Sequence, residues 1–278
     1  MTDIEERVRK LQRGTVAVVG VPLDENSSFL RGAALGPESM RAALRSGSAN
    51  MSTELGIDLD SAEGWIDLGD LQLTTGEDLL AQVERTVASI LSAGARVLAL
   101  GGDHSISYPV LRAYTKAYDD LTVLHIDAHP DTYDEYGGSR HSHACPFARI
   151  MEERPALKLV QVGIRTANSH QRDQARRFGI TMIEMKDWTY SKMPKLNGPI
   201  YLSLDLDVLD PGFAPGVSHH EPGGMSTRDV IQIIHGLPNS LVGADIVELN
   251  PTRDPSGMTA MVAAKFYREL VGRMLKQG

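Results

Sequence analysis

The stretch Leu121–Asp131, LTVLHIDAHPD, limits what this chain can fold into more than any other. Val123, Leu124 and Ile126 form a short apolar run with β-branched residues, the composition of a buried strand. Asp127 ends the run, and His129 and Asp131 follow at a spacing of two. An extended backbone there points all three side chains to one side. Two carboxylates and an imidazole then converge at the C-terminal end of a strand, the edge where open α/β sheets bind ligands. Polar groups beside a buried strand are costly without partners. A divalent metal is the most economical partner.

Elsewhere, short apolar runs alternate with amphipathic stretches. Thr15–Val21, Trp65–Leu68, Val97–Leu100, Leu157–Ile164, Thr181–Glu184, Ile200–Leu206 and Leu241–Val247 read as strands. Pro37–Arg45, Asp78–Leu91, Tyr108–Tyr118, Pro146–Glu153, Gln171–Phe178, Thr227–His235 and Thr259–Leu275 read as helices, with Pro37 suited to a first helical position. This alternation predicts βαβ units and a mostly parallel sheet, and right-handed crossovers put helices on both faces. The 278 residues suffice for a substantial core and show no internal repeat, low-complexity block or linker. One domain over residues 1–278 is expected.

Composition removes several function classes. A formal net charge of −8 argues against a nucleic-acid partner. No apolar run reaches the ~18–20 residues of a membrane span. The N-terminal MTDIEERVRKLQRG is charged and amphipathic and has no signal-peptide apolar region. Cys145 is the only cysteine, which fits a reducing compartment. A soluble, cytoplasmic protein is expected, with neither nucleic acid nor membrane as partner.

The chemistry-bearing residues all follow expected strands. His104 comes after Val97–Leu100, Asp205 and Asp207 at the end of Ile200–Leu206, and Glu248 after Leu241–Val247. In a parallel sheet these ends share one edge. His104, Asp127, His129, Asp131, Asp205 and Asp207 are therefore six candidate metal ligands. Oxygen-rich ligation with two imidazoles and no thiolate favours Mn²⁺-like ions, with Fe, Co, Ni and Zn as alternatives. Six protein ligands exceed what one catalytic ion with an open position takes, so two ions ~3.5–4 Å apart fit better. Four carboxylates cancel the charge of two divalent ions, and a bridging hydroxide leaves the site negative. Such a site suits a cationic substrate.

Four ordered motifs carry a resemblance: GGDHS at Gly101–Ser105, DAHPD at Asp127–Asp131, SLDLDVLDP at Ser203–Pro211 and VELNP at Val247–Pro251. Together they resemble the ureohydrolase family of arginases, agmatinases and related guanidino-group hydrolases. PGFAPGVSHHEPGG (Pro211–Gly224) and SHACPFARIMEE (Ser142–Glu153) are most similar to its plant-type arginase/agmatinase branch. The resemblance covers nearly the whole chain. It implies an arginase-like three-layer α/β/α sandwich with two Mn²⁺ on the six ligands. The implied activity is hydrolysis of a guanidino compound to urea and an amine through a metal-bridging hydroxide. The implied catalytic set is His143, Glu248 and Asp131: His143 matches a proton-shuttling histidine, and Glu248 a carboxylate that holds the guanidinium. L-arginine and agmatine are the first substrates expected, before other guanidino acids and formiminoglutamate. A closed homo-oligomer, trimer or hexamer, is also implied, with the charged N-terminal helix available to its interface.

One departure bears on the substrate. Animal-type arginases carry an Asp-x-Asp pair just after a VG-x-R motif. Here Val162–Arg165 is followed by Thr166, Ala167 and Asn168, so an anionic contact to an α-ammonium is missing or supplied elsewhere. Asn168 is an expected substrate contact, as are Ser139 and His141 on a rim loop. His125 is expected to be a core residue directed away from the ligands, Asp210 a turn residue, and Cys145 a small buried residue. His219 and His220 suit the pocket or a plain loop equally. Two competing readings are a binuclear phosphoesterase and a non-catalytic relative. The negative site and the lack of a phosphate clamp oppose the first; His143 and Glu248 oppose the second.

Overall fold

Every expected apolar run becomes a strand of one sheet. The computed structural model describes residues 3–74 and 78–276. Its strands are β1 (Val16–Val21), β2 (Trp65–Asp70), β3 (Arg96–Gly101), β4 (Thr122–Ile126), β5 (Lys158–Ile164), β6 (Thr181–Glu184), β7 (Ile200–Asp205) and β8 (Leu241–Val247). Their spatial order is β2-β1-β3-β8-β7-β4-β5-β6, and every pair is parallel. The helices are α1 (Asp3–Val8), α2 (Gly36–Leu44), α3 (Leu79–Ser92), α4 (Ser107–Ala117), α5 (Pro146–Glu153), α6 (Ser169–Phe178), α7 (Thr227–Gly236) and α8 (Met258–Leu275).

Strand alternation divides the core between two faces. Val16, Val18, Leu98, Leu100, Leu124 and Ile126 join α2, α7 and α8 on one face. Ala17, Val19, Val97, Ala99 and Val123 join α1, α3, α4 and α5 on the other. The result is the expected three-layer α/β/α sandwich. The N-terminal helix α1 is committed to its own chain on one side: Ile4 and Val8 are buried, and Arg7 donates to the carbonyls of Asp67 and Leu68 at 2.6 and 2.9 Å.

Two local expectations change. The backbone does not stay extended from Asp127 to Asp131. Strand β4 stops at Ile126, and Asp131 adopts φ 49°, in the left-handed region that favours glycine. The three residues converge through a turn instead. Asn168 is spent on structure: its side chain accepts from the Gln171 amide, and Gln171 reciprocates, which closes a capping box at the start of α6.

The strand order explains why chain-distant residues meet. After β3 the chain leaves a gap, later filled by β8 and β7, before β4. The C-terminal ends of β3, β8, β7 and β4 therefore lie side by side where the connection order reverses, the place such sheets bind ligands. Two backbone ties lock β3 to β8: Glu248 N–H donates to the Gly102 carbonyl at 2.9 Å, and His104 N–H to Glu248 Oε1 at 2.8 Å. Gly102 has no room for a side chain, since a Cβ would stand 1.9 Å from the Leu23 carbonyl oxygen and 2.7 Å from its carbon. Gly102→Ala must push the β1 and β3 ends apart. We expect about 1–3 kcal/mol of lost stability, as for overpacking elsewhere, read as a lower urea midpoint. An unchanged midpoint would show that this edge relaxes freely.

Candidate metal centre

His104 sits in the single helical turn after β3, which Asp103 caps by accepting from the Ser105 amide. The ring is fully buried, and its Nδ1 lies 3.2 Å from Asp127 Oδ2, 3.1 Å from Asp131 Oδ2 and 3.0 Å from Asp205 Oδ2. Beside this group, His129 Nδ1 lies 3.4 Å from Asp127 Oδ1 and 3.0 Å from Asp207 Oδ2. The six expected ligands thus form two adjoining half-sites. Asp127 belongs to both, one oxygen to each.

His104 Nδ1 shows that these residues fit a cation. It is buried and makes no hydrogen bond, although three carboxylate oxygens surround it. One N–H cannot serve three acceptors, whereas a divalent ion between them would bond all four atoms. The charges point the same way. Burial, with Asp207 and Asp127 close by, pushes Asp205 well above the usual carboxylate range. Burial also raises Asp207, to about 6, against the pull of His129. Burial disfavours charge on His104, yet Asp127, Asp131 and Asp205 outweigh it and hold the ring well above its ordinary value. Positive charge is needed at this point, and two divalent ions would supply it to both half-sites.

The ligands are oriented from below. Buried Ser203 gives its proton to Asp245 Oδ1 at 2.7 Å, so its oxygen accepts from His104 Nε2 at 2.9 Å. That bond leaves Nδ1 as the ring nitrogen available to a metal, the usual way a partner fixes a histidine ligand. Asp245 also accepts from Ser107 and Tyr201, each at 2.8 Å, which satisfies a fully buried carboxylate.

Above the half-sites lies a cavity of about 150 Å³ lined by Ser28, His129, Asp131, Tyr133, Tyr136, His143, Ala144, Thr166, Gln171, Asp205, Asp207, His219 and Glu248. No Lys or Arg lines it among the described residues. Glu248 has φ 67°, a second non-glycine residue in the left-handed region. Such backbone costs on the order of 1–3 kcal/mol and persists where the surroundings enforce it. Glu248 Oε1 takes both the His104 amide and His143 Nδ1, each at 2.8 Å. Burial pulls His143 down, but the Glu248 charge prevails and raises it to about 9. His143 Nε2 meets Ser28 Oγ at 2.7 Å. His219 completes this wall, with its ring 5.2 Å from that of His143.

Of the expected substrate contacts, Ser139, His141 and Asn168 do not line the cavity. Ser139 closes a small turn with Tyr136, and exposed His141 stacks 5.8 Å from Tyr108. Asn168 acts one layer back, donating to the Tyr133 hydroxyl at 2.7 Å. His220 binds the Pro215 carbonyl, and Asp210 accepts two turn amides. Ser28, Tyr133 and Tyr136 also line the cavity, and the two tyrosines carry no sequence motif that marks them. Ser28 had a signal, because it follows β1 on the same sheet edge.

Comparison with known proteins now bears on this geometry. Residues 14–272 match the Arginase family. The chain belongs to the arginase family. Arginase 2 of Arabidopsis thaliana, chloroplastic/mitochondrial, is 47% identical over 281 residues, 95% of this chain and 82% of that protein. An agmatinase of Bacillus anthracis is 32% identical over 268 residues, 94% of this chain and 92% of that one. The arginase structure from Medicago truncatula superposes with a TM-score of 0.88 at 38% identity, covering 98% of this chain and 94% of that one. Membership makes the protein a hydrolase of C–N bonds in linear amidines, as expected. It also corrects the expected compartment. Arginases of Arabidopsis thaliana and Oryza sativa at 46–47% identity carry mitochondrial or chloroplast designations, which overturns the cytoplasmic expectation. A lone buried cysteine reports only that no disulfide forms within these residues, and says nothing of the compartment. No described helix is long and apolar enough to cross a membrane.

If the arginase-family centre holds ions only when folded, a divalent ion that it binds stabilises the chain by mass action. At a hundred times its Kd, each ion adds about 2.7 kcal/mol. Calorimetry should show Tm rising with added Mn²⁺ and falling with a chelator. A melt indifferent to both would leave the cluster without a metal role.

Proposed function

We propose that this protein hydrolyses a small cationic guanidino compound, L-arginine or agmatine first, to urea and an amine. Manganese is the proposed metal. His104, Asp127, Asp131 and Asp205 would hold one ion; His129, Asp127 and Asp207 would hold the other. When bound, such a pair supplies Lewis acidity and an activated hydroxide near neutral pH. A homo-oligomer, trimer or hexamer, belongs to the same reading, with exposed Leu35, Phe213 and Met258 as available apolar surface.

Glu248 is the observation that carries this reading. It is a buried carboxylate on the cavity wall, outside the ligand set, with Oε1 committed twice and no bond to Oε2 among the described residues. A guanidinium presents paired N–H donors to such an oxygen. Glu248 would orient the guanidinium over the two half-sites, a positioning role worth several kcal/mol. The acidic lining and the missing cation disfavour a phosphate ester. His143 would hold the proton that the leaving amine needs. Both of its ring nitrogens are engaged, so a proton on Nε2 reaches the cavity across Ser28 Oγ. Ser28, Tyr133, Tyr136, Thr166 and Gln171 offer neutral polar groups to the far end of the substrate.

Glu248→Gln removes the charge and keeps the shape. With metal content normal, kcat/KM for guanidino substrates should fall at least ~100-fold, about 2.7 kcal/mol. A variant within about threefold of wild type would remove the guanidinium contact. His143→Ala should lower kcat by roughly 10–10⁴-fold with the ions retained. An unchanged kcat at saturating substrate would return His143 to a loop role.

A further inference from the structure

Gln161, His125, Ser203 and Asp245 stand in register on four adjacent strands, β5, β4, β7 and β8. Each is fully buried. A polar row inside a core is costly unless its groups satisfy one another. The Ser203–Asp245 half ends on His104, as described above. The His125–Gln161 half ends on the other central ligand, Asp127. His125 is therefore not directed away from the ligands: residues 125 and 127 share a side by alternation, and His125 Nε2 lies 2.7 Å from Asp127 Oδ2.

The proton positions follow from the acceptors. The Pro130 carbonyl, in the ligand loop itself, can only accept. It takes Gln161 Nε2 at 2.6 Å, which fixes the amide orientation although buried Gln161 Oε1 is left without a partner. The same Nε2 donates to His125 Nδ1 at 3.1 Å. His125 Nδ1 is thus an acceptor, and the ring proton sits on Nε2, facing Asp127 Oδ2. Phe147, stacked at 3.9 Å, holds the ring plane. His104, His125 and Asp127 lie close enough to form a metal-binding group. An Nε2–H, however, is a donor and not a ligand.

We propose that His125 is a positioning residue for Asp127, kept in its Nε2–H tautomer by Gln161 and the Pro130 carbonyl. The ring is closed: the loop that carries the ligands sets, through Gln161, the tautomer that orients their shared carboxylate. With Oδ2 pinned, Asp127 cannot rotate, and Oδ1 stays toward His129 and Asp207. The proposal rests on the metal-centre reading.

The test is Mn²⁺ affinity, by competition with a chelator and without an activity assay. His125→Phe keeps the stacked ring and removes the donor; Mn²⁺ should bind 10–100-fold more weakly, the usual cost of losing a partner behind a ligand. Gln161→Leu does not touch Asp127, yet should weaken binding too, and should add nothing in the His125→Phe background. Single variants that fold and bind within threefold of wild type overturn the proposal. If His125→Phe does not fold, Gln161→Leu decides in the same way. Nitrogen-15 spectra of the wild-type imidazoles, without metal and with Zn²⁺, need no variant: His125 must show the Nε2–H tautomer, and an Nδ1–H tautomer refutes the positioning role. A wild-type chain that binds no Mn²⁺ removes the metal-centre reading instead, and the tautomer alone then decides how Asp127 is held.

Discussion

Mutual repulsion among Asp127, Asp131, Asp205 and Asp207 is the constraint on which the rest of this structure depends. Burial and neighbouring carboxylates push Asp205 and Asp207 up toward their neutral forms when no positive charge lies between the four. Everything around them holds them together against that repulsion. The reversal in strand order places β3, β8, β7 and β4 side by side. Gly102 lets the β1 and β3 ends close up. Two non-glycine residues at the site accept left-handed backbone, a local cost that the packed surroundings enforce. Metal ions would convert the repulsion into attraction.

Much of this was legible in the sequence because strand ends are legible. Short apolar runs that stop at Asp or His locate both the sheet and its functional edge, whereas which ends are neighbours is set by the strand order, which leaves no such mark. The turn at Asp131 was not legible, since a non-glycine residue at positive φ leaves no local mark. The misplaced rim shows a second limit. Ser139 and His141 stand out by position in a loop and Asn168 by its place after Val162–Arg165, yet loop side chains are spent first on their own backbone, as the capping role of Asn168 shows. His125 departs from its expected direction for a simpler reason: a period of two puts it with Asp127, not opposite.

The cavity wall separates two tasks. Its floor and the Glu248 side are acidic and suit a guanidinium. Its mouth is formed by Tyr133 and Tyr136, whose rings lie 5.0 Å apart, with Asn168 behind the first. The relatives matched above include an arginase and an agmatinase. An acidic floor and a neutral mouth let the reacting group and the tail of a substrate be read by different walls.

The strand order also governs when the centre can exist during folding. Asp127, His129 and Asp131 are neighbours in the chain, but Asp205 and Asp207 reach them only when β7 pairs with β4, and His104 only when β8 also bridges β3 to β7. Such long-range parallel pairings are slow to form, because loop-closure entropy is spent before the contacts repay it. An incompletely paired chain therefore offers an ion only part of the set, and all six ligands only when its central strands are seated. Tight ion binding would mark completion of the sheet and would selectively retain molecules that have passed that step.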